Sequence, residues 1–447
     1  MITRLFFKNY RAFEELDIPL TKINLFFGPN NAGKSAILSA INLLSQTLDS
    51  DDRDIPLALT GKFEDLGTYK DVVYTNKLER DISLGLEFPL EFPARAYTYS
   101  SGERVVENAR LDITFHYRKL RREIVVNSVE LFSPSSDLLL RTRVAKTGNN
   151  QLIEQVSPIF SGIKTGVSSL GSIGLAHYIP VLLYYPSRRG YERESYAQKY
   201  HELDMKLYNV LRSLSNHLKS TEFIGPFRKK PERLYPFSGE MPSSVGVSGE
   251  KAINILIADE SRRGRERRNI TQKIANWAKR AGIAKGIELL VLTERHFEVR
   301  IMHYDTGENE NIADVGYGCS QILPILVAGY YLPSESILIV EEPEIHLHPK
   351  AQAEVGTFLC EVAKRGIQLF VETHSEHLML RLQSHVASGA LTPKDVNVFY
   401  IYPDEQQGKK LYQRIPLGKD GFFVEDWPRG FFPEGLEEAE RLAKFSV

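Results

Sequence analysis

The chain reads as an α/β protein with a parallel-sheet core, and three stretches predict it. The first is Gly28-Pro29-Asn30-Asn31-Ala32-Gly33-Lys34-Ser35, which fits the phosphate-loop pattern G-x-x-x-x-G-K-[ST] at every fixed position. The apolar run 23–27 before it reads as a buried strand, and 36–44 after it as a helix. The second is 336–344, four apolar residues running into Glu341, Glu342 and Glu344. A buried parallel strand of this kind delivers its carboxylates to its C-terminal end, where α/β folds place ligands. The third is 366–375, a strand ending in Thr373-His374-Ser375, expected beside the strand of the two acids.

Strand, glycine loop and helix aim backbone N–H groups and a helix N-terminus at an anion. Gly28 and Gly33 let the chain curl around phosphates, and Asn30, Asn31 and Ala32 line the turn. Lys34 is expected to reach the β- and γ-phosphates of ATP, and the Ser35 hydroxyl to hold Mg²⁺. Glu341 is expected to hold the same Mg²⁺ through water, and Glu342 to orient and deprotonate the attacking water. His374 is placed to donate to the γ-phosphate or to hold that water. His346, His348 and His377 come without cysteines or a four-ligand spacing, which argues against structural zinc.

Bulk composition narrows the partners. With 447 residues, 42% of them apolar, the chain can bury a large core, and its formal net charge of −1 gives no global field toward nucleic acid or anionic lipid. Cys319 and Cys360 stand far apart in no metal spacing and read as reduced residues of a cytoplasmic protein. The N-terminus is too short and charged for a signal peptide, and no apolar window is long enough to span a membrane.

In chain order, two strands at 3–8 and 22–27 are expected, joined through Asn9-Tyr10-Arg11-Ala12-Phe13. The helix after the phosphate loop should end near Leu48, where four polar residues break its apolar period. Alternating runs at 81–88, 111–115 and 123–132 suit a half-exposed antiparallel sheet, with the basic run 118–122 in a hairpin turn. Residues 134–180 read as loop-rich, with one strand at most. Two segments, 184–193 and 224–233, share a pattern of apolar strand end, proline and arginines. Arg188, Arg189 and Arg228 there could face phosphate or a partner, or lie on the surface. A helical pattern covers about 195–219, a flexible loop 236–249, and a helix 269–281 follows the arginines 262, 263, 265, 267 and 268. That cluster is either a solvated face or a surface for DNA or another partner. Asp314–Gln321, with Gly316, Gly318 and Ser320, precedes a helix expected at 322–330 and makes a second anion site. Since the chain already has one phosphate loop, this second site most economically serves the nucleotide of a neighbouring subunit. The expected division is an N-terminal lobe over 1–180 with the antiparallel sheet, a mostly helical insertion over 181–300, and a C-terminal lobe over 301–447.

The phosphate loop, Gly316-Tyr317-Gly318-Cys319-Ser320-Gln321, Glu-Glu-Pro-Glu-Ile-His-Leu-His-Pro and Glu-Thr-His-Ser, in that order, resemble the ABC-type ATPases of the overcoming-lysogenization-defect (OLD) family. They are also similar to the ATPase heads of structural-maintenance (SMC) and double-strand-break-repair proteins. The resemblance implies a P-loop ATPase of the ABC/SMC-head type. It makes Arg11 a nucleotide contact, and Gly316, Gly318 and Ser320 the signature acting in trans within a homodimer or higher homo-oligomer. Glu341 and Glu342 match the acidic pair, and His374 the switch histidine. OLD nucleases add a C-terminal Toprim domain. Only about seventy residues follow His374, fewer than a domain of that kind needs, and they contain no Asp-x-Asp. Repair-type heads add a long coiled coil, and no run of heptads is present. The resemblance therefore points to stand-alone ATPases of bacterial anti-phage defence, such as AriA of PARIS or PtuA of Septu, which act with a separately encoded nuclease or toxin effector. A DNA-binding recombination or repair head is the alternative.

Overall fold

The computed structural model describes residues 1–91, 106–133, 137–144, 151–156, 172–182, 212–304, 306–404 and 408–427. They fall into two compact units. The first comprises Met1–Leu20, Ser35–Thr221 and Asp404–Lys410, and the second Thr21–Lys34, Glu222–Pro403 and Leu411–Val447. Arg188 and Arg189, most of the helical pattern at 195–219 and the end of the tail lie outside the described residues.

The chain opens with β1 (Arg4–Tyr10) and β2 (Phe13–Pro19), an antiparallel hairpin turned at Asn9 and Arg11, both with positive φ. The sequence reading missed β2, because its alternation is interrupted by adjacent acids, Glu14 and Glu15. Next come β3 (Ile23–Phe27) and helix α1 (Lys34–Leu48), which ends where expected. The first unit then adds β4 (Ile82–Glu91), β5 (Val106–Arg118), β6 (Glu123–Phe132), β7 (Leu138–Val144), β8 (Gln151–Val156), β9 (Ser172–Ala176) and β10 (Ile179–Leu182). With β1 and β2 they form a nine-stranded sheet in the order β10-β9-β8-β7-β6-β5-β4-β1-β2, in which every neighbouring pair is antiparallel. Four of these strands, β7 to β10, lie in the stretch read as loop-rich. They are defined by antiparallel pairing, each to the strand beside it, more than by a pattern of their own. Arg11 and α1 from Ser35 onward also belong to this unit. Tyr10 Oη lies 2.9 Å from Ser39 Oγ, Tyr178 Oη donates to Leu44 O at 2.9 Å, and Gln46 Nε2 donates to Ala58 O at 2.7 Å.

The second unit continues with β11 (Thr221–Ile224), β12 (Tyr235–Pro236), α2 (Ala252–Ser261), α3 (Ile270–Ala281), β13 (Gly286–Thr293), β14 (His296–Met302) and β15 (Asn309–Asn311). It closes with α4 (Tyr317–Tyr331), β16 (Ile337–Glu341), α5 (Pro349–Lys364), β17 (Gln368–Glu372), α6 (Glu376–Ala387), β18 (Val396–Pro403) and β19 (Lys410–Arg414). Its main sheet runs β11-β16-β17-β3-β18-β19, in which the pairs β16–β17, β17–β3 and β3–β18 are parallel. The second strand of acids and the strand ending at Glu372 are thus adjacent, as expected. β3 and β17 are buried at every residue, the signature of strands covered on both faces. Apolar residues from β3, β16 and β17 join those of α2 to α6 in one core, with Trp277 Nε1 donating to Glu354 O at 3.0 Å. Asn24, wholly buried in β3, is satisfied by Thr21 and by Leu369 O, so a polar side chain at the centre of the sheet costs little.

Candidate functional site

The loop after β3 needs glycine where the motif supplies it. Gly28 has φ +142°, and a Cβ there would lie 2.0 Å from Ile401 O, on β18. Gly33 has φ +108° and Asn31 φ +62°, so the chain curls sharply between them. Asn30, Asn31 and Ser35 are exposed, whereas Ala32 is buried. The crest faces solvent while the lysine at its end turns inward.

Lys34 is 3% exposed. Its Nζ donates to Gly28 O at 3.0 Å and Pro29 O at 3.1 Å, and lies 3.5 Å from the carboxylate of Glu372 at the end of β17. Glu372, Glu342 and His374 bring a carboxylate oxygen or ring nitrogen each within 4.8 Å of one another. Burial and the nearby Lys34 charge hold the His374 imidazolium below its usual pKa, against the pull of Glu342. A neutral imidazole beside a carboxylate can hold or relay a proton.

The acidic turn after β16 is built with unusual backbone geometry. Glu341 pairs with Glu372 across the parallel ladder, and Glu342 then adopts φ +48°, with its N–H donating to Glu372 O at 2.8 Å. A non-glycine residue in this region is disfavoured by about 1–2 kcal/mol, and such strain gathers at functional sites. Arg228 braces the turn. Its guanidinium is buried and donates through Nη1 to Glu342 O at 3.1 Å and through Nη2 to Glu341 O at 2.5 Å. Burial lowers its pKa to about 10, while Glu344, Glu342 and Glu341 favour the charge. Glu344 accepts from the His374 backbone N–H, and burial raises its own pKa. The turn, Arg228 and the His374 loop therefore form one hydrogen-bonded assembly. Of the choices open for Arg228, the structure takes none. It faces neither solvent nor an open pocket, but backbone carbonyls.

Gly316 is the N-cap of α4, which starts earlier than the sequence pattern indicated, so Gly318 and Ser320 are in its first turns. Ser320 Oγ donates to Tyr317 O at 2.9 Å, and a Cβ on Gly318 would lie 2.7 Å from His346 O. Gly316 is exposed, with nothing within 4 Å of a Cβ built on it. In the first unit, Arg11 Nη1 donates to Ser39 Oγ at 3.1 Å and lies 3.9 Å from Glu64. Two of the clustered arginines are engaged within the chain: Arg267 with Glu260, and Arg268 with Tyr331 O and the Tyr331 ring. Sequence reading gave no role to Glu372. The available signal was an acid closing a short buried strand whose three central residues are apolar.

Residues 1–131 match the family model "AAA ATPase domain", and residues 194–380 match "AAA domain, putative AbiEii toxin, Type IV TA system". The chain is 48% identical over 44 residues to an OLD nuclease of Thermus scotoductus (strain ATCC 700910 / SA-01), a stretch that is 10% of this chain and 8% of that protein. Among solved structures, an SMC head bound to the C-terminal winged-helix domain of ScpA aligns over 94% of this chain and 98% of its own, with 12% identity and a TM-score of 0.41. The SMC head domain of Thermotoga maritima aligns over 93% and 99%, with 10% identity and a TM-score of 0.36. An SMC head from Pyrococcus furiosus aligns over 99% and 98%, with 10% identity and a TM-score of 0.40. No helix among the described residues is long and apolar enough to cross a membrane.

Proposed function

We propose that this chain, an ABC-type ATPase related to the OLD family, binds ATP with Mg²⁺ and hydrolyses it between two copies of itself. The observation that carries this reading is the meeting of Lys34 from the phosphate loop with Glu342, Glu372 and His374 from the ends of two adjacent parallel strands. Lys34 binds the β- and γ-phosphates, and the N–H groups from Asn30 to Ser35 wrap them. Glu342 orients the attacking water and takes its proton, and neutral His374 holds that water or the γ-phosphate. Arg11 keeps the nucleotide contact that the resemblance assigns to it.

The donor set suits Mg²⁺, since Ser35 offers an exposed hydroxyl at the start of α1 and Glu341 a carboxylate at the end of β16. When bound, the ion neutralises charge on the β- and γ-phosphates. Gly316, Gly318 and Ser320, at the N-terminus of α4, serve the nucleotide of the second copy.

The biological role we infer is a sensor or regulatory subunit of anti-phage defence, controlling a separately encoded nuclease or toxin. This is supported by its likeness to an AAA domain described as a putative AbiEii toxin of a Type IV TA system and, over a short stretch, to an OLD nuclease. ATPase assays on Lys34→Ala and Glu342→Gln test the enzymatic core. Lys34→Ala is expected to lose nucleotide binding, and Glu342→Gln to bind ATP but turn it over about a hundredfold more slowly. Undiminished turnover in both variants would overturn the reading.

A further inference from the structure

We propose that Glu372 is the resting counter-ion of Lys34, a positioning residue that must give up the lysine before phosphate can take it, and so sets nucleotide affinity. The inference rests on the ATP-site reading above and adds a regulator to it. The two side chains are 3% and 9% exposed and 3.5 Å apart. A buried ammonium requires a counter-charge, and here the carboxylate supplies it. The main chain that carries Glu372 is fixed in place. It ends β17, which is paired with β16 on one side and β3 on the other, and its carbonyl accepts from Glu342 N–H at 2.8 Å.

ATP binding at this loop sets two ionised groups in competition for one ammonium. Any phosphate oxygen that reaches Lys34 also meets the negative charge of Glu372. A population locked in the Lys34–Glu372 pair is not competent to bind, and apparent affinity falls by that fraction. Glu372→Gln removes the competing charge with little change in shape. Lys34 keeps its hydrogen bonds to Gly28 O and Pro29 O in this variant but loses its counter-charge, so the melting curve of the variant is recorded beside its affinity. Ligands with a β-phosphate should therefore gain affinity and AMP should not, because Lys34 reaches only the β- and γ-groups.

The test is calorimetric titration of the full chain with ATP, ADP and AMP, using the wild type, E372Q, E372D and K34A, each with a melting curve. We expect E372Q to bind ATP and ADP roughly threefold to tenfold more tightly, with AMP unchanged. E372D keeps the charge but draws it back by one methylene, so its ATP affinity should fall between wild type and E372Q. Unchanged or weaker ATP binding in a natively melting E372Q overturns the proposal. If E372Q does not fold, ATP affinity in E372D no higher than wild type overturns it instead. If the wild type binds no ATP and K34A behaves identically, the ATP-site reading itself fails. If the wild type binds ATP and no tightening occurs, only the role of Glu372 fails.

Discussion

Arg228 Nη1 donates to the backbone carbonyl of Glu342 at 3.1 Å, from a guanidinium that is itself buried. The arginine therefore holds the residue expected to activate water by its main chain, leaving the Glu342 carboxylate available for chemistry. Arg228→Ala strips donors from the Pro226, Glu341 and Glu342 carbonyls at once, and is expected to cost about 2–4 kcal/mol of stability in urea denaturation. Because the positive φ of Glu342 is no longer braced, turnover of the folded variant should fall about tenfold, with KM for ATP changed much less. Arg228→Lys, which lacks the planar fork, is expected to recover only part of each loss.

Gly28 is required by its backbone and by Ile401 together. In Gly28→Ala a Cβ would meet Ile401 O at 2.0 Å in a conformation that L-residues rarely adopt. Thermal unfolding should show a loss of at least about 2 kcal/mol, and nucleotide binding should weaken in the same variant.

The titration of His374 has a definite direction. Burial and Lys34 lower its pKa below the ordinary 6.5, so the native state favours the neutral ring. The resulting stabilisation is full above about pH 6.5 and is lost as pH falls from there through the lowered value, because the unfolded chain binds the proton first. In NMR titrations the ring should titrate below 6.5 in wild type. It should move upward in Lys34→Ala, where the second cause of the shift is gone.

Gly316, Gly318 and Ser320, proposed above to serve a second copy, give a test of pairing by mixing variants. Gly316→Asp is expected to fold, since a Cβ there meets open space. It should nevertheless inactivate the neighbour's site by placing an anion against its phosphates. Mixing it with Lys34→Ala, two variants each inactive alone, should restore about a quarter of wild-type ATPase activity if the chains pair head to tail with two-fold symmetry. No recovery after subunit exchange would rule that pairing out.

The sequence by itself determined the local pieces. Glycine spacing, a lysine and a hydroxyl defined the phosphate loop, because each position answers to backbone curvature or to one ligand group. Continuous apolar runs identified β3, β16 and β17 as buried parallel strands, because covering both faces leaves no room for polar alternation. The tertiary structure decided what no window contains. Strand order put β17 between β16 and β3, and that alone set Glu372 against Lys34, far away in the chain. It also turned Arg228 from an apparent surface arginine into a buried brace, and drew β7 to β10 from a stretch without a strand period. Local pattern records what a residue's immediate neighbours require of it. Charge pairing and edge-to-edge strand pairing are long-range, and become definite only when the whole chain has closed.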